Sequence, residues 1–542
     1  MIYIVLTYNL QFTIHNSELF MALLGRILKE GIKLRKFKAQ AKLSPFILQK
    51  TELLRLLTHA KDTDFGTTYD FEEVIRLIQT EPKNSRKFYE AYKKLVPTHN
   101  YNSMFKNWWH RAKAGESNVC WRGKVKYFAL SSGTSEAASK YIPVTKNMLK
   151  AMRKTGLRQV LSLVNFPEMP SDVYEAGTLM LGGSTDLKYN GISYEGDLSG
   201  ITTGQLPFWA QRFYKPGKKI AKNSDWNDKL HEIVLQAPKW DIGFIAGVPA
   251  WIQMLLEQII AHYKVKNIHE IWPNLSIYAH GGVAFEPYKS SFSKLVAHPL
   301  IYLETYLASE GFIAYQTRPN VGNEIATMQI VLNNGIFHEF VPFNEENFDE
   351  NGEMRENAQT FMIDEIEENK DYAILLSTCA GAWRYLIGDT IRLVDRQRSE
   401  IIISGRTKHF LSLCGEHLSV DNMNRAVRSV SEELKIDINE FTVAGISYEN
   451  LFAHHWYIGT DDSVDAVILK EKIDKKLAEL NDDYRTERTA ALKEIFVKVL
   501  ADDVFAGWMR RKGKEGGQNK FPRVMKGKML EDWLAYLEEI RK

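Results

Sequence analysis

Cysteine is scarce in this chain: three in 542 residues, at Cys120, Cys379 and Cys414, with no CxxC pair and no Cys/His spacing. That argues against a disulfide framework and a structural zinc site, and it fits a reducing compartment. No run of about 18 apolar residues exists, so no membrane span is read. An excess of one charge is missing too: 70 basic side chains stand against 67 acidic ones, a net charge of +3. That balance implies neither nucleic acid nor a membrane surface as partner. The short basic stretches "KLRKFKAQAK" and "RRKGK" read as solvated helix faces and loops. No internal repeat or low-complexity segment stands out. The apolar opening "MIYIVLTYNLQFTIHNSELF" lacks the basic start and small-residue cleavage site of a signal peptide. Residues 1–20 therefore read as an extension of doubtful structure or a misassigned start, and the chain reads as cytoplasmic.

What is present is an ordinary globular composition, 44% hydrophobic and 25% charged. At this length two or more domains are expected. To about residue 120 the pattern is helical: "LQKTELLRLLTHAK" and "FYEAYKKLVPTH" space apolar residues by three and four. Beyond it, strand-like runs alternate with helical ones, as in "DIGFIAGVPAWIQMLLEQIIAHY", "NLSIYAHGG" and "HPLIYLETYLASEG". In "IATMQIVLNNGIFHEFVPF" the pair Asn334-Gly335 between apolar runs predicts a hairpin. Such alternation argues an α/β protein. After residue 420 the texture changes to charged helical stretches with few strands, notably "LKEKIDKKLAELNDDYRTERTAALKEIFVKVL". A boundary is expected near Gly405–Leu418.

Four stretches carry polar residues suited to chemistry. In "FALSSGTSEAASKYIPVT", Ser131, Ser132, Gly133, Thr134 and Ser135 follow a strand, and Lys140 follows them. Backbone N–H groups, hydroxyls and a lysine in one arc suit an anion, although the Walker A spacing is absent. In "YLETYLASEGF" a strand breaks at Ala308-Ser309-Glu310-Gly311, and a carboxylate there suits a magnesium-nucleotide complex. In "AGAWRYLIGDTIRLVD", Asp389 follows Gly388 between apolar runs and can accept the hydroxyl protons of a ribose. In "IIISGRTKHFLSLCGEHLS", Arg406 follows a strand. Taken singly, each reads equally well as ordinary turn chemistry: a Ser-rich turn with a solvated lysine, an exposed turn glutamate, a Gly-Asp hairpin.

Their order is more specific than any one of them. It resembles the adenylate-forming superfamily of luciferase and the acyl-CoA ligases. The details "SSGTSxxxxKYIPVT", "YLASEGF", "HEFVPF", "AGAWRYLIGDTIRL", "SGRTKHFLSLCGEHLS" and "GGQNKFPRV" are similar to the acyl acid amido synthetases of the auxin-responsive Gretchen Hagen family and their bacterial relatives. The resemblance covers roughly residues 21–542. Its one noted departure is Ala137, where the family loop commonly has a second glycine.

The resemblance implies a large adenylation domain over residues 21–405, its sheets flanked by helices. A hinge over 406–420 and a small mobile α+β domain over 421–542 complete the adenylate-forming fold. It implies ATP and Mg²⁺ as cofactors, a small carboxylic acid and an amine (an amino acid) as substrates, and a monomer. Ser131, Ser132, Gly133, Thr134, Ser135 and Lys140 would contact the phosphates, with Ser309 among the ATP-binding residues. Glu310 would hold the metal and Asp389 the ribose. Gly281, Gly282 and Tyr306 would border the adenine, Arg406 would mark the hinge, and Lys520 would reach the α-phosphate. Lys526 and Lys528 rival Lys520 in the basic C-terminal loop. An acyl-CoA ligase and a nucleotide-binding protein without turnover are the alternative readings.

One expectation is specific to Lys520. Lys520→Ala should lower acyl-adenylate formation by roughly 10²–10³-fold, while supplied acyl-adenylate is still converted to amide at near the original rate. Single-turnover kinetics of both half-reactions test this, and equal loss in both would sink it.

Overall fold

The computed structural model describes residues 43–540 except 133–138, 171–172, 174–175, 207–210, 212, 283–284, 286–287, 321–325, 350–351, 408–409, 412, 417 and 513–520. Residues 1–20, Gly133, Thr134, Ser135, Ala137 and Lys520 lie outside the described residues.

The first helix among the described residues, Pro45–Ala60, starts where Ser44 caps it and a proline opens it. Shorter helices follow, among them Phe71–Thr80 and Lys87–Leu95. Their apolar faces pack with Phe46, Leu53, Leu56, Tyr89 and Tyr92 into the largest core, which also takes in strands from residues 306–401.

An eleven-stranded sheet forms the centre. Its order from one edge is Ile336–Pro342, Asp371–Thr378, Tyr385–Asp395, Glu400–Arg406, Met328–Ile330, Gly311–Tyr315, Ile301–Ala308, Ile277–Gly281, Ile242–Ala246, Gly177–Met180, Tyr214–Lys215. Neighbours are antiparallel from the first of these to Ile301–Ala308 and parallel from there on. The parallel part is covered on one side by helices Trp226–Gln236 and Pro249–Tyr263 and on the other by Leu163, Phe166, Met169 and Val173, which follow helix Lys146–Ser162. Ile301–Ala308 is thus the strand at which the sheet changes from antiparallel to parallel pairing. A smaller sheet holds the hairpin Tyr127–Ser132 and Ser139–Val144 with Tyr194–Gly196 and Lys188–Tyr189.

The hairpin expected at Asn334-Gly335 does not form. Met328–Ile330 pairs with Glu400–Arg406, while Ile336–Pro342 leaves for the far edge and pairs with Asp371–Thr378. The first helix explains the divergence. Gln49 donates to the carbonyls of Leu332 and Ile336 and accepts from His338 N–H. Glu52 accepts from Gly335 N–H. Backbone groups that a hairpin partner would have satisfied are met by side chains nearly three hundred residues earlier.

Beyond Arg406 the chain forms a second sheet, ordered Leu492–Leu500, Leu451–Gly459, Glu440–Tyr448, Val524–Met525. The stretch read as charged helix is two helices, Ala466–Leu480 and Asp482–Thr489, and then a strand. "LKEIFVKVL" pairs parallel to Leu451–Gly459, so its apolar residues serve a two-residue period instead of a helical one. One core cluster joins this region to the parallel half of the large sheet, with Tyr288 against Phe452 at 5.4 Å between ring centroids.

Glu416 and His454 anchor the connecting segment. Both are fully buried, 3.0 Å apart, and the Glu416 carboxylate also accepts from Leu413 and Cys414 N–H. Burial alone would raise this carboxyl, but His454 and the backbone donors hold it near 2, below its ordinary 4.5. Its stabilising contribution is therefore complete above about pH 4.5 and is lost as pH falls toward 2. Glu416→Gln should remove up to about 1.4 kcal/mol per pH unit from the acid limb of stability. Urea unfolding of both proteins between pH 5 and 2.5 checks this; parallel acid limbs would refute it.

Candidate active site

The polar residues singled out in the sequence are set around the strand where the large sheet changes direction. Lys140 stands on the second strand of the small hairpin, opposite Ser131. Ser132 ends the first strand, so the described part of the Ser-rich stretch opens at a strand terminus. Tyr306 lies on Ile301–Ala308, and Ser309 and Glu310 form the turn into Gly311–Tyr315. Asp389 and Arg406 are direct cross-strand partners on neighbouring strands.

Two small groupings result. In the first, Asp389 is held from both sides: Tyr306 donates its hydroxyl to one carboxylate oxygen at 2.6 Å, and the Arg406 guanidinium contacts the other at 2.7 Å. Gly388-Asp389 is thus no hairpin turn but the interior of the strand Tyr385–Asp395. In the second, Glu310 is buried, at 7% exposure, against the expectation of an exposed turn residue. Burial raises its carboxyl, while the Lys140 ammonium and the Tyr385 hydroxyl favour the ionised form. The Lys140 ammonium also lies 5.7 Å from the centre of the Tyr101 ring. The groupings are coupled, since Asp389 raises Glu310 further by like charge.

Gly281 closes the neighbouring parallel strand in register with Thr305, beside Tyr306. A β-carbon on Gly281 would come within 2.3 Å of the Thr305 carbonyl oxygen, and Gly282 has φ +85°. Crowding at Gly281 and the positive φ at Gly282 both favour glycine. Lys526 is exposed, its ammonium lowered by desolvation and raised by Glu416, whereas Lys528 borders a separate cleft beside Trp508. Neither joins the Asp389 and Glu310 groupings in this structure.

Tyr385 is the site residue that sequence reasoning missed. It lies within the quoted "WRYLIGD", but a tyrosine in a strand reads as core. Its role follows only from Glu310 folding against it. Among the described residues, no cluster of three or more His, Cys, Asp or Glu side chains is arranged to hold a metal. One buried carboxylate still fits Mg²⁺, which takes one or two protein carboxylates and completes its shell with phosphates and water.

Comparison with known proteins decides the family. Residues 33–237 match the GH3 family N-terminal domain, 329–400 its central domain and 421–528 its C-terminal domain, together more than half of the chain. The chain belongs to the GH3 family. Among its relatives is jasmonoyl–L-amino acid synthetase GH3.5 of Oryza sativa subsp. japonica, 26% identical over 190 residues, 32% of each chain. Jasmonoyl–L-amino acid synthetase JAR6 of Nicotiana attenuata is 23% identical over 181 residues, 32% of this chain and 30% of that protein. The matched stretch thus spans about a third of the length of each relative. In fold, the GH3.15 acyl acid amido synthetase aligns over 98% of this chain and 97% of its own, with TM-score 0.53 and 15% identity. A 2-hydroxyisobutyryl-CoA ligase aligns over 91% of both, with TM-score 0.54 and 12% identity. The fold of this GH3 protein is that of the adenylate-forming enzymes.

Because burial lifts the Glu310 carboxyl, its charge opposes folding increasingly as pH rises above the ordinary 4.5. Glu310→Gln should therefore raise the melting temperature at neutral pH, with a gain that fades toward pH 4.5. It should also cut adenylation by about 10²-fold. A calorimetric melt at pH 5 and pH 8 beside a pyrophosphate assay checks both, and a variant less stable at pH 8 would refute the first.

Proposed function

We propose that this GH3 protein activates a small carboxylic acid as its acyl-adenylate and transfers the acyl group to an amine, an amino acid by the example of its relatives. The carrying observation is the convergence of Lys140, Glu310, Tyr306, Asp389 and Arg406 around the strand where the sheet changes from antiparallel to parallel pairing. A carboxylate oxygen attacks the α-phosphorus of ATP, the bond to the β-phosphate oxygen breaks, and pyrophosphate leaves. The amine nitrogen then attacks the acyl carbon, loses a proton, and AMP departs with the former carboxylate oxygen. Such chemistry asks a protein mainly for positioning and charge neutralisation.

Asp389 takes the ribose hydroxyls, with Arg406 alongside. Gly281, Gly282 and Tyr306 border the adenine, and Ser309 lies beside the nucleotide. Ser131 to Ser135 with Lys140 take the phosphates. Glu310 holds Mg²⁺, which supplies further neutralisation of phosphate charge. Residues 421–542 act as the mobile unit about a hinge over 406–420, bringing Lys520 to the α-phosphate. The chain works as a cytoplasmic monomer on small molecules, with no nucleic-acid or membrane partner; among the described residues no helix is long and apolar enough to cross a membrane.

Thioester formation is the second reading, favoured by the fold shared with the CoA ligase. A screen of carboxylic acids for pyrophosphate release, each repeated with an amino-acid mixture or with CoA, separates the two. Acid-dependent AMP and pyrophosphate are expected, with product carrying the amine. ADP and orthophosphate from an active acid would overturn adenylation, and product only with CoA would overturn amide synthesis.

A further inference from the structure

Two carboxylates of the site are each met by a buried tyrosine from a different strand. Tyr306, 5% exposed, donates to Asp389 across the sheet at 2.6 Å. Tyr385, 1% exposed, stands close enough for its hydroxyl to act on the Glu310 carboxyl. We infer that Tyr306 and Tyr385 are positioning residues that orient Asp389 toward the ribose and Glu310 toward the metal-bound phosphates, each acting first on its own carboxylate. The inference rests on the nucleotide-binding reading proposed above.

The backbone around Tyr385 is built to fix that hydroxyl. Arg384, immediately before it, has φ +43°, a strained value for a residue with a side chain. It is held there by Glu339 at 3.0 Å, the Val96 carbonyl at 2.8 Å and Thr360 at 3.1 Å. His99 N–H bonds the Arg384 carbonyl at 2.9 Å, and Leu386 N–H bonds the His99 carbonyl at 2.7 Å, so residues on both sides of Tyr385 are pinned. Trp109 packs on the Tyr385 ring at 5.4 Å between centroids. Tyr306 is fixed by its place in the switch strand, between Gly311–Tyr315 and Ile277–Gly281. A carboxylate accepting one phenolic hydrogen bond keeps its other lone pairs in a defined direction, as partners behind metal ligands do.

The test separates the two tyrosines by ligand. AMP carries the ribose but needs no metal, whereas ATP with Mg²⁺ uses both carboxylates. Calorimetric titration is run on the full chain, the Tyr306→Phe variant and the Tyr385→Phe variant, with AMP, with 2′,3′-dideoxy-AMP and with ATP plus and minus Mg²⁺. Tyr306→Phe should weaken AMP about fivefold and leave dideoxy-AMP unchanged. Tyr385→Phe should leave AMP unchanged and reduce the Mg²⁺-dependent gain in ATP affinity about tenfold. p-Aminophenylalanine at either position keeps ring and donor and should restore affinity, which also serves if a phenylalanine variant fails to fold. Equal losses for AMP in both variants, or none in either, would overturn the inference. A wild-type chain that binds neither AMP nor ATP would instead overturn the proposed function.

Discussion

The architecture of this protein turns on giving two carboxylates partners where water is largely excluded. An ionised group moved into protein interior loses several kcal/mol of solvation unless cations and hydrogen-bond donors replace the water. Asp389 receives Arg406 and a phenol; Glu310 receives Lys140 and a phenol. None of these partners is local in sequence to the carboxylate it serves. The fold must therefore bring together a small hairpin, the switch strand and two adjacent antiparallel strands before either carboxylate has its partners.

The change of sheet direction at Ile301–Ala308 makes this possible. On its parallel side, strand ends rise together and leave Gly281 and Gly282 beside Tyr306. On its antiparallel side, the hairpin of Tyr385–Asp395 and Glu400–Arg406 sets Asp389 and Arg406 opposite each other. A uniformly parallel sheet would offer the first arrangement without the second.

The region beyond Arg406 is tied to the body by contacts of mixed character. Tyr288 and Phe452 pack edge to face, and Gln253 donates to the Asn450 carbonyl at 3.1 Å. Beside them the Tyr288 hydroxyl is buried without a hydrogen-bond partner. Buried polar atoms left unsatisfied cost free energy. This interface is accordingly less stabilising than its apolar area suggests.

The candidate site was legible as short motifs whose order is informative, and the structure brings Lys140, Glu310, Asp389 and Arg406 from four of them near one strand. Helices and strands were legible where periodicity ran long, as in Pro249–Tyr263 and Ile301–Ala308. Local pattern failed at Asn334-Gly335, because turn propensity cannot register that Gln49 and Glu52 claim the flanking backbone. It failed again at "LKEIFVKVL", where a parallel neighbour imposes a strand on a charged segment. By itself the sequence determined the α/β class and the chemical types at the site, since periodicity and side-chain chemistry are properties of short stretches. Only the tertiary structure decided that Glu310 is buried and that Tyr385 and Tyr306 hold the two carboxylates. Burial and side-chain pairing depend on which distant strands become neighbours.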